Sequence, residues 1–91
     1  MYFKQNLNTA VVTTRFVVEN NSPILFVFHY DDNTWQFSGV EANLTDEDFR
    51  VVSLGEMIEY DQSILELENM PINSEAMRLD EKSSWRITVK N

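Results

Sequence analysis

The run ILFVFHY, residues 24–30, restricts the fold of this chain more than any other stretch. It is apolar on both parities until His29. Successive strand side chains point to opposite faces. A strand apolar on both sides therefore reads as a central one, covered on both faces. Just downstream, Trp35 and Phe37 share one parity while Gln36 and Ser38 take the other. That alternation predicts a second strand over residues 34–38. Asp31-Asp32-Asn33 would join the two as a hairpin, because Asp and Asn bond nearby backbone and tolerate left-handed conformations.

The rest of the chain divides by periodicity. β-Branched residues dominate 10–18, which predicts a strand, and Glu-Asn-Asn-Ser-Pro at 19–23 reads as a turn. Thr45-Asp-Glu-Asp48 and Ser53-Leu-Gly-Glu56 both carry the capping-box pattern. The first predicts one short helical turn, followed by a brief extended segment through Phe49, Val51 and Val52. Leu54, Met57, Ile58, Ile64 and Leu65 follow helical spacing, which predicts helices over 54–60 and 63–68 that stop before Met70-Pro71. Trp85, Ile87 and Val89 alternate with Arg86, Thr88 and Lys90, the pattern of a half-buried strand. Residues 76–79 would be its hairpin partner, with the turn at 80–83. The sum is an α+β fold: a small, mostly antiparallel β-sheet with two short helices packed on one side. Ninety-one residues make a single domain, 1–91, with a flexible N-terminal stretch expected at 1–8.

Composition narrows the functions open to such a domain. With no cysteine, disulfides, thiolate metal sites and cysteine nucleophiles are excluded. Fifteen acidic residues against seven basic ones give a formal charge of −8. The basic residues are scattered, so phosphate backbones and anionic membranes are poor partners, whereas a basic protein would be attracted. No apolar run is long enough to span a membrane, and the start of the chain lacks the pattern of a secretory signal. A cytoplasmic location is expected.

HYDDNTWQFSG, residues 29–39, holds the single histidine and is the most pointed candidate for chemistry. His29, Asp31 and Asp32 could ligate a metal, but there is no second histidine, and adjacent aspartates on a strand diverge. The glycine and closing glutamate of a calcium loop are missing. No nucleophile elbow and no glycine-rich phosphate loop is present. A hairpin with a solvated acidic tip explains the stretch as well, and no cofactor or catalytic residue is assigned. The acidic residues around the predicted helices stand out more. Glu56, Glu59, Asp61, Glu66 and Glu68 lie within thirteen positions with no cation among them, and Asp46, Glu47 and Asp48 lie just upstream. They form either a solvated face or a surface for a basic partner.

The stretch Asp32-Asn-Thr-Trp35-Gln-Phe37-Ser-Gly39-Val-Glu41 resembles a D-x-x-W-x-F-x-G-x-E signature. That signature is associated with a family of small bacterial proteins of unknown function, some of them grouped with polymorphic-toxin immunity proteins. Val51-Val-Ser-Leu54-Gly-Glu56, Asp61, Met70-Pro71 and Arg78 resemble the remainder, so the likeness spans residues 13–87. The resemblance implies an interaction protein and no reaction. The function expected is a non-enzymatic interaction domain, immunity-like, that meets a basic, toxin-like partner through an acidic surface. Its partner-binding residues would be Asp31, Asp32, Trp35, Asp46, Glu47, Asp48, Glu56, Glu59, Tyr60 and Asp61, with Tyr60 or Tyr30 as an aromatic anchor. Two alternatives stay open. One is a small ligand-binding or hydrolytic domain using the 29–39 hairpin through His29, Asp31 and Trp35. The other is a homo-oligomeric structural subunit.

Overall fold

The computed structural model describes residues 7–90. They form an α+β fold around one six-stranded sheet. The strands are β1 (Ala10–Thr14), β2 (Phe26–His29), β3 (Trp35–Ser38), β4 (Phe49–Ser53), β5 (Ser74–Met77) and β6 (Arg86–Val89). Their spatial order is β4-β1-β3-β2-β5-β6, with β1 and β3 parallel and every other pair antiparallel. Helices α1 (Arg15–Asn20) and α2 (Leu54–Tyr60), and a 3-10 segment at Gln62–Leu67, pack on one face of the sheet. A 3-10 turn, Asp46–Asp48, leads into β4.

The register explains the core. Val27 pairs with Phe37 and with Ala76, and Val11 with Val52, so these side chains share the helix-facing side. There they meet Val17, Leu54, Met57, Ile64 and Leu67, all essentially inaccessible to water. Ser53 opens α2 with the capping box its sequence predicts, accepting from the Glu56 N–H while the Glu56 carboxylate accepts from the Ser53 N–H. Asp61 then caps the 3-10 segment by accepting from Ser63 N–H.

Four sequence expectations need correction. The hairpin partner of the last strand, expected at 76–79, is β5 at Ser74–Met77, where Ala76 pairs with Val27 in the core. The strand expected over 10–18 stops at Thr14 and turns into α1. Thr14 Oγ1 accepts from Val17 N–H, Asn21 closes the helix with φ 58°, and Val17 reaches the core. Capping at both ends and one buried anchor outweigh the weak helix preference of two valines. The second helix, expected at 63–68, is a 3-10 segment at Gln62–Leu67. Lastly, β6 is exposed on both faces rather than half-buried, with Ile87 and Val89 at 45% and 52% exposure. It is the sheet edge, and of its predicted apolar set only Trp85, just before the strand, packs against the core. The loose stretch expected at 1–8 falls mostly outside the described residues. Leu7 is tied in, its carbonyl accepting from Gly55 N–H.

The face of β2 turned away from the helices carries Phe26 and Phe28, both half-buried. Residues 39–44 line a groove of about 460 Å³ over Phe26, Phe28, Gln36 and Ser38. Beyond this loop, no helix or strand among the described residues covers that face.

Candidate functional site

The hairpin 26–38 is built by the residues that made it look like a site. Tyr30 N–H donates to the Thr34 carbonyl and Asn33 N–H to the Tyr30 carbonyl, closing the turn, while Asn33 takes φ 72°. The Asp32 carboxylate accepts from the Thr34 hydroxyl at 2.6 Å and from Thr34 N–H at 3.1 Å, and these bonds hold its pKa below the usual aspartate value. His29 is buried and stacks on Trp35 with ring centroids 3.9 Å apart. Its Nδ1 donates to the Met70 carbonyl at 2.9 Å, since a carbonyl can only accept, and its Nε2 lies 2.6 Å from Asn33 Oδ1. Both ring nitrogens are therefore engaged in joining the turn to the loop before β5. A groove of about 530 Å³ opens beside His29, Asn33, Trp35 and Glu68; Asp31 is not part of its lining.

The whole signature has structural duties. Trp35 and Phe37 are core residues. Gly39 admits a close approach: a Cβ there would lie 2.7 Å from Glu41 Oε1 and 3.0 Å from the Pro23 carbonyl oxygen. The Glu41 carboxylate accepts from the Ser22 hydroxyl at 2.8 Å, pinning the loop after β3 to the end of α1. A motif of this kind specifies a fold.

The downstream residues are joined in the same way. Arg78, its side chain 1% exposed, ion-pairs through Nη2 with Asp61 at 2.6 Å. Its Nε donates to the Ile24 carbonyl, its Nη1 donates to Ser63 Oγ, and its guanidinium lies 4.1 Å from the Trp85 ring centroid. Burial alone would raise the Asp61 pKa. The hydrogen bonds from Ser63 and the ion pair with Arg78 outweigh that and hold it below the usual value. The sequence reading did not find this cluster, because the partners lie 17 and 54 positions from Arg78.

The ten residues assigned to partner binding are thus distributed unevenly. Asp31 and Asp32 sit exposed at the hairpin tip, and Asp46 and Glu47 are exposed in the 3-10 turn. Asp48 binds Arg15 at 2.9 Å and accepts from Thr45 N–H, which is the larger cause of its lowered pKa. Trp35, 1% exposed, cannot touch a partner in this conformation, and Asp61 faces Arg78. Glu56, Glu59 and Tyr60 come together on α2. With Val18, Val52 and Met57 they line a groove of about 470 Å³ between α1, β4 and α2. Tyr60 donates its hydroxyl proton to Asn21 Oδ1, which fixes the ring at the groove end. The nearest cations are engaged: Arg50 with Glu19 and Arg15 with Asp48. Among the described residues, no cluster of three or more His, Cys, Asp or Glu could hold a metal ion. No helix among them is long and apolar enough to cross a membrane.

Comparison with protein-family models, with curated proteins and with solved structures returned no match.

Proposed function

We propose that this chain is a non-enzymatic protein-interaction domain of a bacterial cytoplasm. In this reading it is immunity-like and binds a basic, toxin-like partner through the acidic groove between α1 and α2. The observation that carries the reading is the groove itself. Glu56 and Glu59 supply uncompensated negative charge on its rim, Val18 and Val52 an apolar floor, and Tyr60 a ring held in place at one end. Such a groove suits a segment that presents an apolar side chain flanked by Lys or Arg. The formal charge of −8 would steer a cationic partner toward it. The signature near the hairpin supports membership of such a class only through the fold it builds.

The test is affinity capture from the native host at low salt, followed by titration calorimetry with any protein recovered. A single basic partner, weakened by Glu56→Gln, which removes one rim charge but keeps the α2 cap, and lost on Glu59→Lys and on Tyr60→Ala, is the expected result. Capture of nothing at low salt, or of a partner indifferent to Glu59→Lys and Tyr60→Ala, overturns the reading.

A further inference from the structure

We infer that the helix-free face of the sheet is a self-association surface, and that two copies of this chain dimerise by packing these faces together. The face is defined by register. Val51, Val12, Gln36, Phe28, Glu75 and Thr88 form one row straight across all six strands. Phe26 and Met77 form a neighbouring pair in the next row. Tyr30 stacks on Phe28 with ring centroids 5.9 Å apart. Val51 is 71% exposed, and Val40, in the adjoining loop, is 67% exposed. The run that demands cover on both faces of β2 thus has cover on one and only partial cover on the other.

Charge selects the occupant. This face bears Glu75 and Arg86 on the strands and Lys90 just after β6, and Glu75 and Lys90 pair with each other at 3.5 Å; at its margins Glu41 lines the loop groove, bonded to Ser22, and Asp32 lies near Tyr30. It is the carboxylate-poor side of a chain whose formal charge is −8. A basic partner has little to grip here, since Glu75 is paired with Lys90 and Glu41 is bonded to Ser22. Two like-charged copies repel everywhere else, so an apolar, nearly neutral face is where they can meet at least electrostatic cost. The area suffices as well. One face of a body measuring 28 × 28 × 25 Å holds about a sixth of its surface, and a specific interface takes roughly a tenth. Sheet-on-sheet packing about a two-fold axis would give each copy the same contacts, as an isologous dimer requires.

Salt distinguishes this contact from the acidic groove. Screening relieves repulsion between two acidic copies and so strengthens the dimer, whereas it weakens capture of a basic partner. Sedimentation velocity of the full chain over a wide concentration range, at low and high salt, is the experiment. The expected result is a reversible monomer–dimer equilibrium that shifts toward dimer with salt. Val51→Glu and Met77→Glu, both at exposed positions on the face, should each raise the dissociation constant at least about tenfold, equivalent to about 1.4 kcal/mol. Ile72→Glu makes the same charge change at a site 48% exposed in the loop before β5, beside the His29 groove and off the face, and should raise it much less. A monomer at every concentration, a dimer that salt dissociates, or a dimer indifferent to both face variants overturns the inference. A monomer that still captures a basic partner would overturn this inference alone and leave the groove reading standing.

Discussion

Arg78 shows most clearly how single residues hold this molecule. Its guanidinium ties Ile24, before β2, to Asp61 and Ser63 at the start of the 3-10 segment, and it stacks on Trp85 ahead of β6. Truncating it leaves a carboxylate and a carbonyl without their donor in a water-poor site. Arg78→Leu should cost about 3 kcal/mol by urea denaturation, at the lower end for a broken buried pair because Asp61 keeps partial exposure. The pair also sets an acid limit. The folded pKa of Asp61 lies below its unfolded value, so its contribution is complete above about pH 4 and is lost as pH falls through the folded pKa. Asp61→Asn should flatten the decline of stability below about pH 4 without abolishing it, because Asp32, Asp48 and Asp80 are lowered too. At Gly39 the constraint is steric. Gly39→Ala must shift the Glu41 carboxylate, whose other oxygen accepts from Ser22, and press on the Pro23 carbonyl 3.0 Å away, at a cost of about 1 kcal/mol measurable as a lower Tm.

At the scale of elements, local signals were legible and long-range ones were not. The capping box at Ser53 located α2 at 54–60, and alternation located β3, because both signals lie within a few residues. Parity and turn residues placed most of the strands, with β4 the faintest, while β5 lies two residues before the expected 76–79. Helix α1 was hidden because Val17-Val18 continue the β-branched pattern of β1. What reveals it is Thr14 at the N-cap and Asn21 at the C-cap, and Asn also occupies the other three left-handed positions, 33, 43 and 73. Thr14→Ala should then cost about 1 kcal/mol and lower the protection of α1 amides in hydrogen exchange. The same substitution at Ser53 should do so for α2. The Arg78–Asp61 pair was not legible, since neither periodicity nor capping reports which separate segments meet.

Across the whole molecule, charge and apolar surface are sorted onto different sides. The exposed carboxylates Glu56 and Glu59 belong to α2, which packs on the opposite side of the sheet from the face that carries Val51, Phe28 and Met77. The candidate surface was half readable on this account. Glu56, Glu59 and Tyr60 share a groove as helical spacing allows, while Trp35 and Asp61 turned inward for reasons of packing and pairing. Raising salt should therefore move the two proposed contacts in opposite directions in one sample, read by calorimetry for the partner and by sedimentation for the copy.

The sheet order also has a consequence for the making of this protein. Strand β1 lies between β3 and β4, so its partners begin 25 and 39 residues after it does. During synthesis it leaves the ribosome long before either exists, whereas β2 and β3 can close their hairpin almost at once. For that interval β1 is an open strand with both edges unpaired, and β4, whose only neighbour in the sheet is β1, cannot join the sheet until β1 is in place. Slow or interrupted translation between residues 14 and 53 would extend the period in which this chain is most exposed to misassociation.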